Sequence, residues 1–209
     1  MMENPNLSSK NFHKEKKWYP FVQSFARNCE GRVLDIGCGE KPHRDWFDVK
    51  DYIGIDINPD RNADIIADGL RLPFNDNSFD YIFSMQVLEH VSNPLIFFEE
   101  MSRVLREHGR ALITTNQMFN LHMNPHDYFR FTRFGLAELA QRAGLSYVDI
   151  LEVGNLPIRL CFKINDLYEY ILPDWIGPVM RILTNLFFWP IIPYDTHEDY
   201  IIVGGVFEK

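Results

Sequence analysis

The sequence predicts a doubly wound α/β fold on a mostly parallel sheet. Three observations predict it. Short, almost wholly apolar runs recur along the chain, as strands covered on both faces require. Helical patterns alternate with these runs. The first run ends in Asp-x-Gly-x-Gly, within "RVLDIGCGEKPH" (32–43), the punctuation of a tight strand-to-helix turn.

Taken in order, residues 1–16 are polar and expected to be loosely ordered, and 18–29 read as a short helix with an aromatic face. Strands are expected at 32–36, 52–57, 63–67, 79–85, 110–115, 146–153 and 199–207, and helices at 42–47, 93–107 and 132–143. Pro94 and Gly109 bracket the second of these helices with the usual start and stop residues. Thr132 and Gly144 serve the third as N-cap and C-terminal glycine.

Residues 155–195 break the alternation and read as an apolar helical insertion or cap before the last strand. In its first helix Leu160, Ile164, Leu167, Tyr168 and Ile171 share one face, and Arg159, Lys163, Asp166 and Glu169 the other. The stretch 176–193 is apolar but is interrupted by Arg181, Asn185 and prolines, which makes it a poor membrane-spanning helix. The whole chain, 1–209, reads as a single domain, with 1–30 as N-terminal tail and helix.

Composition narrows the function classes. The chain has 209 residues, 46% hydrophobic and 24% charged, which is globular rather than disordered. The net charge of −8 argues against a broad phosphate-neutralising surface, so the reading is no nucleic acid partner. Three scattered cysteines and a polar start fit a cytoplasmic protein without a disulfide framework.

The glycines allow a tight turn and a ligand's close approach to main-chain N–H groups. A dinucleotide fingerprint asks for a third glycine where this chain has Pro42. An acid, Asp56, ends the next apolar run, where a carboxylate can hold both hydroxyls of a ribose. Asp68-Gly69 follows the third run, and Met85-Gln86 ends the fourth.

The stretches "VLDIGCGEKP", "IGIDI", "ADGLRLPFNDNSFDYIFSMQVLEHV" and "MSRVLREHGRALITTN" resemble the class I S-adenosylmethionine-dependent methyltransferases, most of all the type 11 methyltransferase domain. That resemblance implies a Rossmann-like methyltransferase fold of seven strands, the last antiparallel and next to the sixth. It implies S-adenosyl-L-methionine as cofactor. Asp35, Gly37 and Gly39, with Cys38 between them, would meet its methionyl part. Asp56 would bind the ribose and Ile57 pack on the adenine. Asp68 would meet the adenine amino group, and Gly69 offer a backbone contact to the ring. Met85 and Gln86 would line the methionine side. Lys41 replaces a residue that is small in many members, and places an ammonium where a cofactor carboxylate is expected.

Methyl transfer needs an aligned nucleophile, and an oxygen or nitrogen acceptor often needs a base. The candidates are His90 in "LEHV", and His126, Asp127 and Tyr128 in "NQMFNLHMNPHDYFRFT", a polar and aromatic loop after the fifth strand. His122 and His126 have helical metal-ligand spacing, but Asn124-Pro125 between them signals a loop, and no metal is expected. The reading is methyl transfer to a small or lipid-associated acceptor, with the sugar part of a glycan precursor as one form. The alternatives are an NAD-dependent oxidoreductase and a non-catalytic nucleotide-binding scaffold. The apolar insertion leaves three uses open: a cap on the sheet, a homodimer seam, or peripheral membrane contact.

Overall fold

The computed structural model describes residues 6–191 and 201–209. Two compact units divide the chain, residues 22–151 with 202–209, and residues up to 21 with 152–201.

The first unit is organised on one seven-stranded sheet. Its strands are β1 (Arg32–Ile36), β2 (Asp51–Asp56), β3 (Ile65–Ile66), β4 (Phe79–Met85), β5 (Leu105–Asn116), β6 (Ser146–Val153) and β7 (Ile202–Glu208). They lie in the order β3-β2-β1-β4-β5-β7-β6. The pairs from β3 through β5 are parallel, and β7 runs antiparallel to β5, as expected. Registers such as Ile36 opposite Ile55 and Leu34 opposite Ile82 set the strand tips side by side. Strand order reverses at β1, with β2 on one side and β4 on the other, and α/β sheets bind ligands at the crevice this opens.

Both faces of the sheet are covered. Leu34, Ile36, Ile55, Ile82 and Ile113 pack with Phe97, Phe98 and Met101 of α2 (Pro94–Val104) and Leu136 and Ala140 of α3 (Arg133–Arg142). On the opposite face Phe83 meets Phe47 edge to face at 5.1 Å, and Tyr81 meets Phe25 at 5.9 Å. Phe25 lies in the last turns of α1 (Phe12–Arg27). Asn93 caps α2 by accepting from Ile96, and Thr132 caps α3 by accepting from Gly135.

Several boundaries differ from expectation. Residues 42–47 form only a 3₁₀ turn, Arg44–Trp46, where Arg44 folds the segment on itself by donating to the carbonyls of Phe47 and Val49. The third strand shrinks to two residues at the sheet edge. The helix expected to run to 107 stops at Val104, and β5 starts at once. Gly109 is therefore a strand residue rather than a helix stop. A Cβ there would lie 2.9 Å from the Asp80 carbonyl oxygen and 2.8 Å from that of Arg106. The last strand begins at Ile202, and residues 199–200 of the expected run lie outside the described residues.

The second unit holds the start of α1, together with α4 (Leu156–Ile171) and α5 (Gly177–Phe188). The helix begins at Phe12, six residues before the expected start, because Phe12 is buried against Trp189 with ring centroids 5.5 Å apart. Residues 192–195 of the predicted insertion lie outside the described residues. The helix pair is polar within and apolar without. Asn165, Asp166 and Asn185 are buried, whereas Leu160, Leu167 and Ile171 of the predicted apolar face are exposed, with Leu183 and Phe187 of α5. Asn185 donates to the carbonyls of Leu7 and Ser9 and accepts from Asn165 at 2.9 Å. Its own carbonyl lies 2.9 Å from His13 Nε2. These bonds satisfy the side-chain amide of Asn185, which would otherwise oppose folding.

Candidate cofactor and acceptor site

The turn after β1 is built by two glycines that differ in cause. Gly37 has φ +74°, and a Cβ there would sit 2.3 Å from Val87 Cγ2. Gly39 has φ +53° and open space where a Cβ would point. The first glycine is demanded by packing and the second leaves a hollow. The main-chain donors of the turn are already taken. The N–H groups of Gly37 and Cys38 both donate to the Ile55 carbonyl at 2.9 Å, and Gly39 N–H donates to Asp56 Oδ2 at 2.9 Å. Contrary to the sequence reading, this turn does not offer those N–H groups to a ligand.

What lies beside it is a pair of carboxyl groups, Asp35 and Asp56. Asp35 is buried at the end of β1 and accepts a hydrogen bond from Tyr52 O–H. Burial pushes its carboxyl up to about 7, against the pull of the tyrosine bond, with the Asp56 charge adding to the rise. Asp56 ends β2, and its Oδ1 accepts from Asn58 N–H at 2.9 Å. Ile57 follows it, 67% exposed. Asp68 is exposed after β3, with Oδ1 accepting from Leu70 N–H. Gly69 is required by Phe97, whose nearest ring carbons would lie 2.7 and 2.9 Å from a Cβ. Met85 and Gln86 are half-buried at the tip of β4, and Gln86 N–H donates to the Thr114 carbonyl.

Lys41 does not point its charge at this hollow. Its Nζ pairs with Asp64 Oδ1 at 2.5 Å, and Asp64 also accepts from Gly54 N–H. Cys38 is buried and its thiol is pushed up to about 12 by burial, which leaves no thiolate for chemistry.

The expected catalytic residues gather in one polar cluster after β4 and β5. Tyr128 and Phe129 N–H groups donate to the Glu89 carbonyl, pinning the loop after β5 to the 3₁₀ turn Leu88–His90. His90 Nδ1 lies 2.6 Å from the His126 carbonyl oxygen, and His126 Nδ1 lies 2.9 Å from Tyr128 Oη. The Asp127 side chain is only 1% exposed and takes a two-pronged ion pair from Arg130 at 2.6 and 2.7 Å. That guanidinium holds the carboxyl well below the usual range, so Asp127 anchors the loop and is a poor proton acceptor. Sequence reading overlooked Tyr52, the partner of Asp35, and Glu89, which is fully buried. An acid in the middle of "VLEHV" was the available signal for Glu89.

An open hollow of about 600 Å³ lies at the opposite end of the strands, lined by Arg32, Asp51, Asp80 and Arg106 among others. Its charges already pair with one another, Arg32 with Asp51 and Arg106 with Asp80.

A doubly wound sheet with acids at successive strand tips, and a bare turn between two of them, defines a domain of the methyltransferase type. Residues 34–113 match the family described as "Methyltransferase domain". Over that stretch it is a methyltransferase domain, and the chain is similar to S-adenosylmethionine-dependent methyltransferases. It is 30% identical over 168 residues to a probable S-adenosylmethionine-dependent methyltransferase of Mycolicibacterium smegmatis, covering 71% of this chain and 65% of that protein. It is 31% identical over 113 residues to a tRNA U34 carboxymethyltransferase of Pseudoalteromonas atlantica, covering 45% and 35%. The chain thus spans less than two thirds of these curated relatives. Among solved structures, phosphoethanolamine N-methyltransferase 2 of Haemonchus contortus, in complex with S-adenosyl-L-methionine, aligns with TM-score 0.58. It is 18% identical and the alignment covers 93% of this chain and 53% of that one, which shows a shared fold. The oxidoreductase alternative finds no support in these comparisons.

Proposed function

We propose that the chain transfers a methyl group from S-adenosyl-L-methionine to a small or lipid-associated acceptor. The carrying observation is the turn after β1. Its N–H groups are bonded internally, and the nearby ionisable groups are Asp35 and Asp56, with Lys41 turned to Asp64. A pyrophosphate asks for free N–H donors, whereas an ammonium and ribose hydroxyls ask for carboxylates. The residues therefore fit an adenosyl sulfonium amino acid and not a dinucleotide. Asp35 would take the ammonium and Asp56 the ribose, with Ile57 and Asp68 on the adenine side and Met85, Gln86 and the Cβ-free surface of Gly37-Cys38-Gly39 along the methionyl part.

When bound, the cofactor supplies an activated methyl group. The chain's task is then to orient the acceptor and receive its proton. The His126–Tyr128 pair suits proton transfer, being exposed and hydrogen-bonded. Asp127 and Arg130 hold that pair in place. His90, tied by Nδ1 to the same loop, presents its Nε2.

The apolar outer face of α4 and α5 supports a lipid-associated acceptor and peripheral membrane contact by a cytoplasmic enzyme. Among the described residues no helix is long and apolar enough to cross a membrane. Calorimetry with S-adenosylmethionine and NADH tests the cofactor. Release of S-adenosylhomocysteine with lipid-linked saccharides, free saccharides and tRNA tests the acceptor. Binding of NADH alone would overturn the cofactor reading, and turnover on tRNA alone would overturn the acceptor reading.

A further inference from the structure

We infer that Glu89, His90 and His122 form a binding site for one divalent transition-metal ion, of the class that accepts mixed imidazole and carboxylate ligands. Among the described residues, the ligand atoms of these three side chains all lie within 4.8 Å of one another. The imidazoles of His90 and His122 meet edge to face with centroids 4.7 Å apart.

Tautomers decide whether the rings can ligate. His90 Nδ1 is 2.6 Å from the His126 carbonyl, which only accepts, so the ring proton sits on Nδ1. His122 Nδ1 is 3.1 Å from the Asn120 carbonyl and 3.3 Å from Asp127 Oδ2, again acceptors. In both rings Nε2 is left with its lone pair. A ring whose far nitrogen is tied to a carbonyl or carboxylate is the usual support for a metal-bound histidine.

The carboxylate is supported in the same way. Glu89 is fully buried, with Oε2 accepting from Thr115 Oγ1 at 2.8 Å and Oε1 from Asn116 Nδ2 at 2.5 Å. The backbone N–H of Glu89 also donates to this carboxylate, which leaves one of its roughly four lone-pair sites for a cation. The nearby guanidinium of Arg130 is engaged by Asp127. Burying a carboxylate is costly without a cation. Asn116 Oδ1 is a buried acceptor without a hydrogen-bond donor among the described residues, and water on a metal is such a donor. Bonds of about 2.0–2.2 Å require the three ligand atoms to draw closer by roughly 1 Å, a side-chain adjustment. Three protein ligands leave positions open, which suits an oxygen of the acceptor.

The sequence reading expected no metal because His126 was paired with His122 across Asn124-Pro125. Folding pairs His122 with the turn after β4 instead.

The test titrates Co²⁺ alone into chelator-treated, tag-free protein, read by visible absorption and elemental analysis. The expected result is saturable uptake of one equivalent with d–d bands, reversed by Zn²⁺, which binds such ligands more tightly. Affinity should fall about tenfold or more in H90A, H122A and E89Q. It should be unchanged in H108N, which alters an exposed histidine. Absence of saturable Co²⁺ uptake by the unmodified protein overturns the inference. So does unaltered uptake in H90A and H122A that melt as folded proteins. S-adenosylmethionine binding by the metal-free protein is scored separately, so failure of the metal site and failure of the methyltransferase reading are distinguishable.

Discussion

Tyr52, in the second strand, donates its hydroxyl hydrogen to the buried carboxyl of Asp35, in the first. The bond crosses the parallel β1–β2 pair, where Asp35 lies opposite Gly54 and Tyr52 opposite Val33. It gives the acid a partner in a site too buried to ionise freely, and leaves its other oxygen for a ligand.

The first prediction concerns pH. Burial raises Asp35 from its ordinary 3.8 to about 7, with the Tyr52 bond and the Lys41 charge opposing the rise and the Asp56 charge adding to it. Between those values the folded chain holds a proton that the unfolded chain releases. Stability contributed by that proton is present below about 4 and lost as pH rises towards 7. Ammonium binding needs the carboxylate, so S-adenosylmethionine affinity should instead rise through about pH 5 to 8 and then level off. In D35N both slopes should flatten. Calorimetry and thermal melts across pH measure them, and an unchanged affinity slope in D35N would remove Asp35 from the ammonium role.

Asp56→Ala should weaken S-adenosylmethionine binding by about tenfold or more, because hydrogen bonds to a charged acceptor are worth roughly 1.5–3 kcal/mol. The change also removes the acceptor for Gly39 and Asn58 N–H groups. D56N, which keeps one oxygen, should lose less. Equal affinity in D56A and the unmodified chain counts against the assignment.

The two glycines of the first turn should separate stability from binding. Gly37→Ala meets Val87 and takes an unfavourable positive φ, so it should lower stability by about 1–3 kcal/mol. Gly39→Ala meets nothing and should cost only about 1 kcal/mol in stability. It should nonetheless reduce cofactor affinity, because its methyl enters the open hollow. Chemical denaturation and calorimetry on both variants distinguish the effects. The reverse pattern would place the cofactor elsewhere.

Asn185→Leu should destabilise the α4–α5 unit by about 2–3 kcal/mol. It strands the Leu7 and Ser9 carbonyls and the Asn165 amide, and a buried unsatisfied group costs roughly 1–3 kcal/mol. Limited proteolysis should then cut α4 or the N-terminal segment sooner. Unchanged digestion would mean that the polar seam contributes little.

Much of the fold was legible because period and punctuation are local. The tips of β1 and β2 were found through Asp35 and Asp56, and α3 through Thr132, since apolar strands and caps write themselves in a few consecutive residues. Gly109 misled because a glycine needed for close backbone approach is spelled like a helix stop. The face of α4 misled for a similar reason. Helical spacing groups Leu160, Leu167 and Ile171, but only the partner surface decides whether that face turns inward, and here the amides do.

By itself, then, the sequence determined the alternation of strands and helices, the glycine turn and the acids at the strand tips, all consequences of near-neighbour sterics and patterning. Tertiary structure alone decided which donors of that turn were spent on Ile55 and Asp56, that Tyr52 backs Asp35, and that Glu89 and His90 meet His122. Those relations join residues far apart in the chain, and their energies come from burial and pairing in space, which no local run of residues encodes.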